Sequence, residues 1–182
     1  LDTATAALTG AGLLLLITYT RDEAMIAKVF SKVEWLAIFF FAGLFVLVGA
    51  LVETGVIKML AAEAIQLTNG NVNATAMLIL WMSAIASAFI DNIPFVATLI
   101  PLIQDMGQMG LTNLDPMWWS LSLGACLGGN GTLIGASANV VVASMAAQRG
   151  RQISFLGFMK IAFPVMILTI IISSVYIWVR YL

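Results

Sequence analysis

Two polar clusters interrupt an otherwise apolar chain. The first is Asp91-Asn92-Ile93-Pro94; the second lies within Gly124-Ala-Cys-Leu-Gly-Gly-Asn-Gly-Thr-Leu-Ile-Gly-Ala-Ser-Ala-Asn139. Asp91 is the one acidic residue well inside an apolar stretch. An ionised group there is costly, so a functional role is the default reading. The plain alternative is an Asp capping a turn in a solvated loop. Asn92 offers an amide oxygen to a cation or an amide N–H to an anion. In the second cluster Asn130, Thr132, Ser137 and Asn139 supply side-chain oxygens, and backbone carbonyls around Gly129 and Gly131 would supply more. Hard cations such as sodium take oxygen cages of this kind, which makes Asn92, Asn130, Thr132 and Ser137 the candidate sodium ligands. Thr98, Ser83 and Ser87 lie within about two helical turns of the first cluster. For these hydroxyls the plain alternative is a bond to their own helix.

The elements that must hold these groups follow from the flanks. Apolar sequence borders the second cluster on both sides, from Trp118 to Leu123 and from Val140 to Ala147. Five glycines and two asparagines between Gly124 and Asn139 disfavour a continuous helix. Unpaired backbone groups are not tolerated against lipid, so irregular backbone at that depth must be buried in protein or line a cavity. The expectation is a transmembrane helix broken over 128–137, whose half-helix ends can hold an ion. A glycine-rich helix packed closely on a neighbour is the competing reading. Gly129, Gly131 and Gly135 have the wrong spacing for a dinucleotide fingerprint, and no strand precedes them.

Composition sets the class. The 182 residues are 62% hydrophobic and 9% charged, with a mean hydropathy of +1.04. That is the composition of a polytopic membrane protein. A net charge of -1 leaves no basic face for nucleic acid, and the absence of histidine removes His-based catalysis and most zinc sites. The single cysteine, Cys126, allows no internal disulfide. An aspartyl intramembrane protease would need a second membrane aspartate, and a serine enzyme would need a base. We therefore expect no enzyme and no cofactor, apart from a bound sodium ion.

In chain order, Ala4 to Tyr19 is expected to span the membrane, Arg21 to Lys32 to connect, and Trp35 to Val52 to span again. Glu53 to Leu67 alternates apolar and polar residues at helical spacing and reads as an interfacial or arm helix. Thr68-Asn-Gly-Asn71 ends it. Ala74 to Met106 forms two limbs around Asp91–Pro94. The second limb, Phe95 to Ile103, is about 14 Å as helix, half a bilayer core, because Pro94 breaks it and Pro101 weakens it. This suggests a re-entrant hairpin; two full spans joined by a tight turn are the rival. Gly107 to Pro116 is a loop closed by Trp118-Trp119. Ser154 to Met159 leads into a last span over Ile161 to Tyr181, with Pro164 as a kink. Arg21, Lys28 and Lys32 fall in one connector, and Arg149, Arg151 and Lys160 in another. Connectors 53–73 and 107–116 hold only Lys58. By the positive-inside rule the first pair of connectors is cytoplasmic, and the second pair and both termini are outside.

The pair of motifs, Ser87-Ala-Phe-Ile-Asp-Asn-Ile-Pro-Phe-Val-Ala-Thr98 and Gly124 to Val140, resembles the ion transporter superfamily, in the branch of arsenite permeases, NhaD-type sodium/proton antiporters and the melanosomal P protein. Val33-Glu-Trp35 fits it too, and the resemblance runs from about Val33 to the C-terminus. It implies an inverted repeat, each half with a hairpin and a broken helix, and ions bound between hairpin tip and broken-helix loop. That carries onto Asp91 and Asn92 at the tip and onto Asn130, Thr132 and Ser137 in the loop. Related carboxylate transporters carry Ser-Asn-Thr at the tip, where this chain has Asp-Asn-Ile-Pro.

The expected protein is thus all-α and multi-pass. It is one membrane domain over 1–182, the C-terminal repeat of a larger transporter in the plasma or inner membrane. Two spans and the arm occupy 1–69; hairpin, broken helix and last span occupy 74–182. The chain begins at Leu1, which suggests a fragment. Its expected work is secondary transport of a small inorganic ion, by sodium/proton exchange or oxyanion export. Carboxylate transport and a non-transporting membrane scaffold are the alternatives. Expected partners are lipid, the missing N-terminal repeat or a second copy, and a homodimeric mate.

Overall fold

The computed structural model describes residues 2–19, 23–33 and 35–182, and of Tyr19, Glu23, Ala24, Leu36 and Ala37 only the backbone. Arg21 and Glu34, used above for sidedness and for the resemblance, lie outside them. The described residues form helices and connecting turns, with no strand. The chain divides into two compact units, residues 1–42 and 43–182.

The first unit holds α1 (Thr3–Tyr19), α2 (Glu23–Phe30) and the start of α3 (Trp35–Glu53). Asp2 opens α1. The Thr5 N–H donates to its Oδ1 at 2.6 Å, and this bond holds the Asp2 carboxyl below the usual carboxylate range. Along α1 the side chains of Leu8, Leu13, Leu14, Leu16 and Ile17 are exposed. A helix apolar all round belongs in lipid or against other protein.

In the second unit, α3 bends into α4 (Val56–Leu67) by 65°. The bend falls at Thr54-Gly55, where Gly55 adopts φ 76°, a conformation that a side chain would strain. Glu53 therefore closes α3, and the arm begins three residues later than its polarity pattern predicts. Gly70, at φ 68°, terminates the arm and donates its N–H to Ile65 O at 2.9 Å. Asn71 then caps α5 (Val72–Ser87) by accepting from Ala74 N–H at 3.0 Å.

α5 and α6 (Asn92–Gln108) make the hairpin. The second limb is 17 residues long, or about 26 Å, and the nine-residue reading is wrong. Pro94 lies in the first turn, where no N–H partner is needed. Pro101 lies inside α6 without ending it. The length argument for a half-depth limb therefore falls away, and the position of the tip rests on its neighbours.

Those neighbours are α7 (Asp115–Gly128), α8 (Ser137–Gln148) and α9 (Phe155–Tyr181). The α5/α7 pair is the most extensive helix contact, and its register is regular. A Cβ added at Gly124 would lie 2.5 Å from Leu80 O, and one at Gly128 would collide with Ala84 O. One turn further, Thr132 bonds Ala88 O. On this face Gly124, Gly128 and Thr132 each stand against the residue 44 positions earlier, so the two helices run parallel with their backbones touching. Glycines four apart permit this approach. The competing reading of the glycine-rich stretch is correct for Gly124 and Gly128.

α5 also divides the core. Ile79 packs with Ile57, Ile103, Met106, Met117 and Leu121, while Leu80, Ala84 and Ala88 pack with Met166, Ile170 and Ile177 of α9. Trp81 Nε1 donates to Ser174 Oγ at 3.2 Å, and Trp119 stacks on Tyr181 with ring centroids 5.6 Å apart. α9 takes in Phe155 to Met159 of the stretch read above as a lead-in, with Ser154 as its N-cap, and Pro164 sits inside it. Among the described helices α9 alone is long and apolar enough to cross a bilayer unaided. Ile38–Glu53 and Val56–Leu67 pass that test only as a bent pair, and Thr3–Thr18 and Val72–Ser87 are apolar but shorter.

The register predicts an asymmetry between glycines. Gly124→Val drives a side chain into Leu80 O and Ser83 Cβ and should destabilise the protein by about 1–3 kcal/mol. Gly49→Ala, with nothing within 4 Å, should be neutral or stabilising by up to ~1 kcal/mol. Unfolding of both variants in detergent checks this; equal losses would refute the register.

Candidate functional site

The helix stops at Gly128 and restarts at Ser137, so residues 129–136 form an irregular link where the glycines and Asn130 predict one. Its fold is set by side-chain bonds rather than by helix. The Thr132 hydroxyl, fully buried, donates to Ala88 O and accepts from Gly135 N–H at 3.1 Å. The Asn139 amide, in the first turn of α8, donates to Gly129 O and Thr132 O, each at 3.0 Å. The two ends of the link are drawn together: a Cβ on Gly135 would lie 2.7 Å from Gly129 O and 2.8 Å from Ala88 O. On the other side Met166 Cε lies 2.9 Å from the Cβ position of Gly131. Glycine is required at 135, where backbone occupies the side-chain position, whereas at 131 the nearest atom is the flexible end of Met166.

The same contacts bring the hairpin to the break. Ser87 Oγ donates to Ala125 O at 2.6 Å, and Thr132 holds Ala88 O. The last turn of α5 is thus fastened to the end of α7 by two buried hydroxyls. Ser87 and the Ala88 carbonyl matter more than spacing alone suggests. The readable signal was the run of small residues four apart, Gly124, Gly128, Thr132, facing Ala84 and Ala88.

The other candidates sort by what their polar atoms already do. Asp91 is half-buried, and its Oδ1 accepts from Ile93 N–H at 3.1 Å, which makes it the N-cap of α6. Among the described residues no hydrogen bond joins it to 129–136. Thr98 Oγ1 donates to Pro94 O at 2.9 Å, the back-bond to its own helix. Asn92 lines a cavity of about 520 Å³ with Phe45, Ile93, Val96, Ala97, Ile100 and Cys126. Asn130 and Ser137 are exposed, and α8 begins with no side-chain cap. The Ser137 and Ala138 N–H groups have no side-chain cap, while that of Asn139 donates to Ala136 O at 3.0 Å. Thr132 and Asn139 therefore hold the link in shape, while Asn92, Asn130 and Ser137 present polar groups outward. No Lys or Arg occurs between Lys58 and Arg149, so no cationic side chain stands on the hairpin, α7, the link or α8.

Residues 2–124 match the citrate transporter family. The chain belongs to that family. The match ends at Gly124, just before the break, but relatives extend across it. A protein named uncharacterized transporter from Mycobacterium tuberculosis (strain ATCC 25618 / H37Rv) is 48% identical over 178 residues, covering 96% of this chain and 40% of its own length. The 46 kDa membrane protein of Mycobacterium leprae is 41% identical over 175 residues, covering 95% of this chain and 40% of its own length. The P protein of Homo sapiens is 39% identical over 189 residues, covering 100% of this chain and 22% of its own length. The chain thus spans two fifths or less of these relatives. No solved structure matches it. The family is one of membrane transporters, not of enzymes.

The Thr132 fastening can be tested directly. Thr132→Val keeps the volume but leaves Ala88 O and Gly135 N–H without their partner, and it should cost about 1–3 kcal/mol. Thr132→Ser should retain most of the stability. Thermal unfolding of the two variants in detergent checks this; equal behaviour would mean that the hydroxyl is dispensable.

Proposed function

We propose that this chain is one repeat of a secondary transporter, which binds a small ion between the hairpin tip and the helix break and moves it by alternating access. The observation that carries this reading is the pair of buried hydroxyls joining the last turn of α5 to the end of α7. They set the tip level with irregular backbone in a chain apolar enough for membrane. Broken helices at that depth serve ions because half-helix ends present unpaired carbonyls and N–H groups. Tip and break, fastened together, would move as one body against the remainder of the protein.

The chemistry of the site favours a cation. With no Lys or Arg on these elements, the outward groups are the Asp91 carboxylate and the oxygens of Asn92, Asn130 and Ser137. Sodium or a proton suits that set, which is the sodium/proton exchange of the antiporter branch. Asp91 would leave its capping bond, or share it, when the ion arrives. An anion, whether an arsenite-type oxyanion or a carboxylate, has one structural argument in its favour: the uncapped N-terminus of α8. The family's description as citrate transporters favours the carboxylate. A multiply charged carboxylate would still need a co-bound cation here. The remainder of the site would come from a second repeat, and the working assembly would be a homodimer in the plasma or inner membrane.

Flux of sodium-22 and of carbon-14 citrate into liposomes bearing the full-length transporter that contains this repeat distinguishes the readings. Asp91→Asn should lower cation-coupled flux by about tenfold or more, the equivalent of one charge-assisted interaction of ~1.5–3 kcal/mol. Full activity of Asp91→Asn would leave Asp91 only its capping role. Absence of flux for either ion would favour a scaffold.

Sidedness has its own test. Gln108 and Gln148 are both exposed at helix ends, and the lysine and arginine pattern puts them on opposite faces. With Cys126→Ser as background, a cysteine at 108 should react with an impermeant maleimide from outside, and one at 148 only after permeabilisation. Labelling of both from one side would overturn this topology.

A further inference from the structure

Six of the seven buried polar side chains among the described residues lie on α5, on α7 or in the turns at their ends: Thr68, Thr75, Ser120, Ser83, Ser87 and Thr132; the seventh is Ser173. Four of the six have partners. The Thr68 and Thr75 hydroxyls lie 2.8 Å apart, where one donates to the other, and the accepting hydroxyl donates in turn to its own backbone carbonyl, Ala64 O or Asn71 O. Ser87 and Thr132 fasten the break. Ser83 and Ser120 have no partner, although neither is exposed to solvent at all.

This is not the ordinary state of a helical hydroxyl in this molecule. Thr98, Thr169, Ser173 and Ser174 each donate to a carbonyl of their own helix. Ser83 and Ser120 make no such bond. The Cβ position of Gly124 lies 2.8 Å from Ser83 Cβ, and Ser120 is one turn earlier on the same face of α7. Ser120 thus stands one helical turn, about 5–6 Å, from the Gly124 position that Ser83 touches, and water can bridge a gap of that order. A buried hydroxyl left unpaired costs free energy that one partner restores.

We propose that the α5/α7 seam holds internal water bound by Ser83 and Ser120. This water gives Ser83 and Ser120 the partner that each lacks. The ligand is neutral water rather than an ion, because no charged side chain lies on the seam and the backbones touch at Gly124 and Gly128. The bound water does not depend on which ion is carried.

The sign of two substitutions decides the question. If water is shared, Ser83→Ala and Ser120→Ala each raise the unfolded fraction about fivefold in detergent titrations, and the double variant is no worse than the poorer single one. If either Ala variant is as stable as the native chain or more so, the seam is dry and the proposal fails. Additive losses would mean separate partners and would overturn the shared water. Water-edited solid-state NMR of the unaltered chain in lipid gives an independent readout. Transfer from water to the Ser83 and Ser120 amides should be clearly faster than to Ile103 and Met106, which are equally buried. Equal transfer would refute the bound water.

Discussion

The structure depends on how closely α5 and α7 approach. Two parallel helices touch backbone to backbone because Gly124 and Gly128 leave no side chain where Leu80 O and Ala84 O stand. Without a hydrophobic force between helices in lipid, association relies on close packing and on bonds between them. Here the packing fixes a register of 44 residues, and the register places Thr132 against Ala88. A helix that stops at Gly128 is therefore not frayed. Its orphan groups are met by Thr132, Asn139 and turns within the link, as burial requires.

That arrangement separates structural from available polarity. Thr132 and Asn139 use their side chains to shape the link, and Ser87 uses its hydroxyl to hold α7. Asn130, Ser137 and Asn92 keep theirs outward. The division suits a transport site, in which the backbone must be held while the ligand exchanges. α8 has no buried residue at all, so this side of the molecule has the surface to meet further protein. The curated relatives are long enough to supply it.

Much of this was legible along the chain. Glycine and asparagine inside apolar flanks announce the break, because they cannot hold a helix there. Asp91 before Asn92-Ile-Pro announces a turn and a cap. The error over Phe95–Ile103 arose from counting Pro94 and Pro101 as breakers. Pro94 sits where a helix tolerates proline, and tertiary packing of Leu102, Ile103 and Met106 carries α6 past Pro101. The arm boundary was misplaced by the polar Glu53, which says less about helix ends than Gly55 does.

By itself the sequence determined the class, the all-helical membrane character, the hairpin and the interruption at 129–136. These follow from hydropathy, from backbone propensity and from the cost of polar groups at depth, all of which are local. Only the tertiary structure decided which hydroxyls hold the link, which glycines are there for packing, and that the end of α5 meets the break. Those depend on a pairing of residues 44 apart, and a one-dimensional pattern of small residues gives neither partner nor direction. Ser83, Ser87, Ser120 and Thr132 are alike as letters. What distinguishes them is whether a carbonyl on the neighbouring helix lies within reach.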